Sequence, residues 1–366
     1  MQNTQSNIMQ QNLINMMKQM QQSQPFVFDP NKTDIRMKRA WISDNISQSR
    51  SGLYAKFFKS ETTLFNHVSK CNVGQIDNIC DVSVVYEHSI DTAEKYADIG
   101  ANNFTKNNKL NPVIVNVVGR DFIGSNYESC TEMRDEIINI RTIFCSNKTK
   151  GNIFPLKEEQ CAYTSLVTVI RPKDPRTPLL NWQNTFRTGI ITSCPIKHDS
   201  SAKKLSIKSY LQTLSNIESI FQCAIAMSHS VLILCPYGHT NDDNNPVDDI
   251  IKLYNFCIMK YGHKFKHIII SVPPHYPKQI YEMYLEKIVK PCEMTKEIDD
   301  KYDMIENDLA MKTKLQENIQ NNTKNNNINE NDIANNNVNV NENINQIDPK
   351  QFQMMVQMMN MMNKKN

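Results

Sequence analysis

The pattern of apolar positions predicts a strand, a loop and a helix between residues 111 and 144. Residues 112–118 form a mostly apolar, β-branched run without polar alternation, which is typical of a strand buried on both faces. A turn-rich passage follows, and then Ser129 and Glu132 have the spacing of a capping box. The apolar positions that indicate one face of the helix are Met133, Ile137, Ile140 and Phe144.

Strands and helices alternate along the rest of the central region. Further strands are predicted at residues 82–86, 162–170, 189–194, 231–235 and 267–272. Further helices are predicted at residues 61–68, 92–99, 211–224, 246–261 and 277–289. This alternation predicts an α/β fold, with a mostly parallel central sheet and helices on both faces.

The two ends of the chain differ from this central region in composition. Residues 1–30 form a Gln/Asn/Met-rich tail, and residues 301–366 form an Asn-rich linker with a Met-rich C-terminal segment. Such segments bury too little varied apolar surface to offset chain entropy, so both are predicted to be disordered. Residues 31–300 are predicted to form one α/β domain. The Met-rich ends are either short amphipathic helices that contact a protein partner or simple compositional drift.

Charge and cysteine usage exclude several classes of function. The net charge is +3 with no dense Lys/Arg stripe, so no nucleic-acid partner is predicted. The sequence has no signal peptide and no apolar run of membrane-spanning length, which predicts an intracellular, cytoplasmic protein without membrane contact. The ten cysteines lack zinc-site spacing, so no metal and no cofactor are predicted. Three cysteines lie in apolar runs and are expected to be buried: Cys223, Cys235 and Cys257.

Two loops that follow buried strands are the candidate functional segments, at residues 119–129 and 236–246. Loops at the carboxyl ends of parallel strands lie on one edge of the sheet, where ligands bind. Asp121, Asp135 and Glu136 in and after the first loop indicate acid/base chemistry, or they are solvated charges that favour the helix dipole. The second loop is rich in Asn and Asp, which is also typical of a simple turn.

The order and spacing of these residues resemble the microbial-type poly(ADP-ribose) glycohydrolases, a branch of the macrodomain superfamily. That family has a strand ending in Asn, a seven-residue passage, three glycines, eight residues ending in Gln, and two consecutive Glu. The corresponding residues here, without a gap, are Asn116, Gly124, Ser125, Asn126, Asp135 and Glu136. The family's later aromatic, Gly-Cys-Gly and Asn-x-Pro signature corresponds to Tyr237, Gly238, His239, Thr240, Asn244 and Pro246. The resemblance covers about residues 45–275.

The resemblance implies a macrodomain-like three-layer sandwich that acts on ADP-ribose or an ADP-ribosylated protein. In the family, the second Glu of the pair protonates the leaving oxygen and then activates water, and this role falls on Glu136. Asp135 would hold a ribose hydroxyl, and Asn116 would hydrogen-bond the ribose or the catalytic loop. The remaining implied ligand-binding residues are Gly124, Ser125, Asn126, Tyr237, Gly238, His239, Thr240 and Asn244.

The departures from the family pattern fall on the same loops. Ser125, Asn126 and Thr240 replace glycines that allow the backbone to approach a diphosphate, and Asp242 replaces an aromatic residue and would repel an anion. Three hypotheses therefore stay open: a glycohydrolase, an ADP-ribose-binding module, and an inactive scaffold or interaction protein that has lost the ligand. The retained Glu136 favours the first hypothesis, whereas the altered loops favour the other two.

Overall fold

The computed structural model describes a central region and a few residues of the C-terminal region. The residues described are 32–50, 54, 60–68, 80–97, 111–118, 136–144, 153–198, 203–239, 243–288, 307, 309–315 and 317–318. The chain divides into two compact units, Met1–Thr313 and Lys314–Asn366. In the second unit, the described residues 314, 315, 317 and 318 are helical. The N-terminal tail and the Met-rich C-terminal segment lie outside the described residues.

Seven strands of the described region form one mixed sheet in the order β1-β4-β5-β3-β6-β7-β2. Neighbouring strands from β5 to β2 pair in parallel, whereas β4 pairs antiparallel with both β5 and β1. The sheet is therefore mostly parallel, as the sequence predicts. The strands are β1 Thr62–Asn66, β2 Asp81–Val85, β3 Pro112–Val117, β4 Gln160–Val169, β5 Phe186–Ser193, β6 Val231–Leu234 and β7 His267–Ser271.

Helices cover both faces of this sheet and give it three layers. The larger core packs side chains of α4, α5 and α6 against one face, and the smaller core packs those of α1, α2 and α3 against the other. The helices are α1 Ile35–Arg50, α2 Ser89–Tyr96, α3 Glu136–Arg141, α4 Ile207–Ala226, α5 Val247–Tyr261 and α6 Lys278–Lys287. Over the part of the chain described, none of these helices has both the length and the apolar composition needed to cross a membrane.

The central strand β3 explains why the sandwich has two apolar cores. All six of its residues are buried, with Val113, Val115 and Val117 in the larger core and Ile114 in the smaller one. Burial of each such side chain contributes about 1.5–3 kcal/mol relative to leaving it exposed. β3 is therefore part of the middle layer of the fold, because its apolar side chains are buried on both faces.

One predicted element is wrong. Residues 61–68 were expected to be helical, but β1 occupies Thr62–Asn66 and pairs antiparallel with β4 at the edge of the sheet. The β-branched Thr62 lies opposite Thr164, and their hydroxyl oxygens are 3.0 Å apart. A segment this short has too few turns to reveal its period, so β propensity and the exposed edge of β4 determine its structure. The other predicted strands and helices are confirmed to within a few residues at their ends, except that the predicted start of the helix at Ser129, Glu132 and Met133 lies outside the described residues.

A buried ion pair joins α2 to the end of α3. The Nη1 atom of Arg141 lies 2.5 Å from Oδ1 of Asp91, and the Arg141 side chain is only 2% exposed. The same guanidinium donates through Nε to the carbonyl oxygen of Arg171 at 3.2 Å. These contacts hold the C-terminal end of the helix that begins at Glu136.

The packed region extends beyond the predicted boundary at residue 300. Leu309 is 6% exposed and belongs to the larger core, and the Nζ atom of Lys312 lies 3.9 Å from the centroid of the Tyr210 ring. Both contacts fall within the first compact unit. The predicted division of the rest of the chain stays a prediction.

Candidate functional site

The carboxyl ends of β5, β3 and β6 bring the described candidate residues to one edge of the sheet. Asn116, the penultimate residue of β3, lies opposite Thr192 of β5. Its side chain is fully buried, and its Nδ2 donates to the Thr192 hydroxyl over a long 3.4 Å. Within the described residues, the carboxamide oxygen Oδ1 of Asn116 has no hydrogen-bond partner. An unpaired buried oxygen costs about 1–3 kcal/mol, so its retention in a native site calls for an explanation.

The segment that follows Asn116 leads to Glu136. Val118 continues the pairing of β3 by donating its backbone N–H to the carbonyl oxygen of Ser193 at 3.0 Å. Residues 119–135 lie outside the described part of the chain, and with them four candidate residues: Gly124, Ser125, Asn126 and Asp135. Glu136 is the first residue of α3, and its side chain is outside the description as well.

The side chain of Tyr237 is built into the fold rather than presented to a ligand. The ring is fully buried in the larger core, and its hydroxyl lies 2.9 Å from the hydroxyl of Ser193. Burial raises the pKa of this phenol well above its ordinary value, so it remains neutral. A ligand at this edge would therefore meet the backbone of Tyr237, and the side chain would act as a support beneath the loop.

Gly238 has a conformation and surroundings that only glycine satisfies. Its φ of 70° lies in the left-handed region. A Cβ atom there would lie 2.0 Å from Nδ2 of Asn245 and 2.9 Å from Cβ of Pro195. Asn245 in turn donates its backbone N–H to the carbonyl of Gly238 at 2.9 Å and its amide to the carbonyl of Ile196 at 3.2 Å. The glycine thus allows the loop after β6 to pack tightly on the segment after β5.

The imidazole of His239 closes the same loop. Its Nδ1 donates to the carbonyl of Asn245 at 2.8 Å, because a carbonyl oxygen can only accept, and its Nε2 accepts from the hydroxyl of Tyr284 at 2.8 Å. Burial lowers the pKa of His239 to about 4. The ring is therefore neutral near pH 7 and brings no positive charge to an anionic ligand.

The remainder of the second loop is held by backbone contacts. Asn244 adopts a φ of 52°, a conformation that Asn tolerates better than most residues. The carbonyl of its neighbour Asp243 accepts the N–H of His198 at 2.7 Å. Thr240 and Asp242, which carry two of the departures from the family pattern, lie outside the described residues.

The structure therefore brings together five of the sequence-predicted residues: Asn116, Tyr237, Gly238, His239 and Asn244. It also adds Ser193, Asn245 and Tyr284, which sequence reasoning missed. Asn245 lies in a run of Asn and Asp side chains that all suit a turn equally well. No local signal distinguishes its buried side chain, because the carbonyl of Ile196 that accepts its amide lies 49 residues earlier in the sequence.

Sequence comparison identifies no relative: no model of a protein family matches the chain, and no curated protein sequence matches it. Comparison of structures does find similar proteins. A crystal structure of poly(ADP-ribose) glycohydrolase from Thermomonospora curvata is similar over 69% of this chain and 100% of its own, with a TM-score of 0.52 and 10% sequence identity. The same enzyme bound to the inhibitor ADP-HPD gives the same coverage, a TM-score of 0.51 and 11% identity.

These comparisons establish the fold of the chain. It is a macrodomain-like α/β sandwich of the kind seen in microbial poly(ADP-ribose) glycohydrolases, which confirms the resemblance drawn from the spacing of the motifs. At such low identity the likeness extends to the fold alone, because one fold supports many unrelated sites.

Proposed function

We propose that this protein binds ADP-ribose, or the ADP-ribose of a modified protein, at the carboxyl edge of β3 and β6. The observation that carries the proposal is the buried carboxamide oxygen of Asn116, which has no hydrogen-bond partner among the residues that the structure describes. It lies on the central strand, one residue from the strand's end, where ligands collect in sheets of this type. A ribose hydroxyl supplies the missing donor, and the amide keeps its orientation through Thr192.

The loop after β6 supplies the second part of this site. Gly238, Asn244 and Asn245 form a compact turn that is tied to the segment after β5. A turn of this kind presents backbone groups rather than charged side chains, and a diphosphate accepts hydrogen bonds from backbone N–H groups. The remaining glycine-loop positions, from Gly124 to Asn126 and at Thr240, belong to the proposed site through the motif spacing.

We propose further that Glu136 makes the protein a glycohydrolase. The residue begins α3, 20 positions after Asn116, and the far end of this short helix is anchored by the pair of Arg141 and Asp91. A carboxyl group in this place protonates the oxygen that leaves when the glycosidic bond breaks. As a carboxylate, it then takes a proton from the water that attacks the anomeric carbon. Asp135 holds a ribose hydroxyl beside it.

One alternative has an observation in its favour. The imidazole of His239 is neutral and enclosed by its own hydrogen bonds, so the second loop lacks a cation to attract a diphosphate. Asp242 in the same loop adds a negative charge. Both features suit an interaction protein that has kept the sandwich and lost the ligand.

Isothermal titration of the full chain with ADP-ribose tests the binding site. Asn116→Leu has about the same size but no hydrogen-bonding groups, so we expect ADP-ribose affinity to fall about tenfold, equivalent to roughly 1.4 kcal/mol. The free energy of unfolding is expected to stay level or rise, since the substitution removes an unpaired buried oxygen. A loss of binding combined with undiminished stability would identify a residue retained for its ligand.

Thr168→Val is the matched control for this titration. Thr168 on β4 is 1% exposed, and its hydroxyl also has no partner within the described residues. Its removal is expected to leave ADP-ribose affinity unchanged. Equal affinity of the wild-type and Asn116→Leu proteins would contradict the role of Asn116. A folded wild-type chain that gives no heat with millimolar ADP-ribose would favour the interaction protein instead.

Glu136→Gln tests the chemistry separately from binding. The amide neither donates the required proton nor accepts one from water, so release of ADP-ribose from poly(ADP-ribose) is expected to slow about 10²-fold. ADP-ribose affinity should change little, because the substitution preserves size. Glu282→Gln on α6 makes the same change in charge at an exposed ion pair and serves as the control. Hydrolysis that survives Glu136→Gln undiminished would remove Glu136 from the mechanism.

A further inference from the structure

A second concave site lies on the face of the sandwich that carries α4 and α5. It is a cavity of about 320 Å³ between the segment that enters α4, the first turns of α5 and the end of α6. Four lysines line it, Lys203, Lys204, Lys252 and Lys287. We call it the lysine-lined cavity. Its volume is within the range of pockets that bind small molecules.

The acidic residues of this cavity are already engaged. Asp248 forms an ion pair with Lys287, with Oδ1 and Nζ 2.7 Å apart. Asp249 is buried and accepts the backbone N–H of Leu205 at 2.8 Å through its Oδ2. The carboxylates therefore have structural roles, namely holding the end of α6 and the entry to α4 in place.

Three ammonium groups remain available to a ligand. Lys203, Lys204 and Lys252 have no carboxylate partner in the described part of the chain. The four lysines and two aspartates of the lining give the cavity a net charge of about +2. This excess of positive charge attracts an anion to the cavity.

We propose that the lysine-lined cavity binds the diphosphate group of a small molecule. A diphosphate carries several negative charges in a compact form, which matches three unpaired ammonium groups better than a single carboxylate does. The cavity is a limited concavity rather than an extended charged surface, which favours a small anion over a protein or a nucleic acid strand. The free diphosphate and the diphosphate of a nucleotide present the same group to these lysines.

The proposal is independent of the ADP-ribose site and is tested in the full-length protein. Substitutions in the cavity distinguish the two sites, because none of the cavity's lining residues belongs to the proposed ADP-ribose site. Titration with sodium pyrophosphate is expected to saturate with one equivalent and to weaken as salt is added, because exposed charges are screened. Replacing Lys203, Lys204 and Lys252 together by Ala is expected to reduce pyrophosphate affinity at least tenfold. Lys252→Ala alone should reduce pyrophosphate affinity about threefold, because one lysine contributes only part of the electrostatic attraction.

The control removes the same number of charges elsewhere, through Ala substitutions at the exposed Lys157, Lys264 and Lys278. This variant should keep its pyrophosphate affinity within twofold. Equal weakening in both triple variants would show a general charge effect and overturn the proposal, as would the absence of saturable binding by the folded protein. Titration with ADP identifies the natural source of the diphosphate group. If ADP binds more tightly than pyrophosphate and the triple cavity variant loses this binding, the ligand is a nucleotide. If ADP binds more weakly than pyrophosphate, the ligand is the free diphosphate.

Discussion

Asn45→Ala is expected to lower the free energy of unfolding by about 4 kcal/mol. The amide nitrogen of Asn45 lies 2.7 Å from the carbonyl oxygen of Ile140, 3.1 Å from that of Asn139 and 3.0 Å from that of Thr142. Its oxygen accepts from Nε of Arg171 at 2.8 Å. The residue is fully buried on α1, so its removal leaves the carbonyls at the end of α3 and the Nε–H of Arg171 without this partner.

Urea denaturation followed by tryptophan fluorescence measures this loss, because Trp41 lies on α1 beside the network. Asn45→Asp separates hydrogen bonding from packing: it preserves the shape and the acceptor for Arg171 but places a carboxylate against three carbonyl oxygens. A loss of about 3 kcal/mol is expected for this variant as well. Asn184→Ala, at an exposed asparagine, should stay within about 0.5 kcal/mol of the wild type. A change below about 1 kcal/mol for Asn45→Ala would mean that α3 is held by its apolar contacts alone.

Asn45 also bears on the position of Glu136, the residue proposed to catalyse hydrolysis. The carbonyls that it binds belong to the last turn of α3 and the residue just after it, and Glu136 is the first residue of α3 that the structure describes. Glu136 precedes the first of these carbonyls by about one helical turn, so a shift of this part of the helix moves Glu136 as well. In the proposed mechanism, displacement of the Glu136 carboxyl group by about 1 Å would cost roughly 10²-fold in rate, so Asn45→Ala is expected to slow the proposed hydrolysis as well.

Gly238→Ala is expected to lower the free energy of unfolding by about 3 kcal/mol. The left-handed backbone alone disfavours alanine by about 1–2 kcal/mol. The added methyl group also overlaps Nδ2 of Asn245 and meets Cβ of Pro195 at 2.9 Å. Asn245 must then move and lose its hydrogen bond to Ile196, which adds about 1 kcal/mol. The loop after β6 is thereby released from the segment after β5, and we expect ADP-ribose binding to fall with it.

Gly262→Ala is the matched control for this prediction, measured by the same urea titration. Gly262 follows α5 with right-handed helical backbone angles, and the nearest atom to an added Cβ is Cγ2 of Ile258 at an ordinary 3.7 Å. Alanine there should be neutral or stabilise by about 0.5 kcal/mol, because it reduces the freedom of the unfolded chain. If the two glycine variants had equal stability, the tight packing of the loop on Pro195 and Asn245 would be disproved.

The local pattern of the sequence was sufficient for most of the fold. The apolar run of β3 revealed a strand buried on both faces, and the alternation of strands and helices revealed a mostly parallel sheet with two helical layers. The expected burial of Cys223, Cys235 and Cys257 is confirmed. Such features depend on neighbours within one or two turns or on the average polarity of a segment, and both are visible in the sequence alone. The spacing of Asn116, Gly238 and Pro246 matched the pattern of a known family, and this resemblance implied the fold that the structure has.

The local sequence pattern does not predict contacts between segments that are distant in the sequence. β1 is a strand because β4 offers it an edge about 100 residues later in the chain. Asn45 binds carbonyls at the end of α3 that are 94 to 97 residues away, although nothing in its own helix distinguishes it from a surface asparagine. Tyr237 and His239 matched a ligand-binding motif, yet their side chains point inward to Ser193 and Tyr284. The physical reason is the same in each case. The structural role of a polar or β-branched side chain depends on the residues that contact it in the folded protein, and those residues are distant in the sequence.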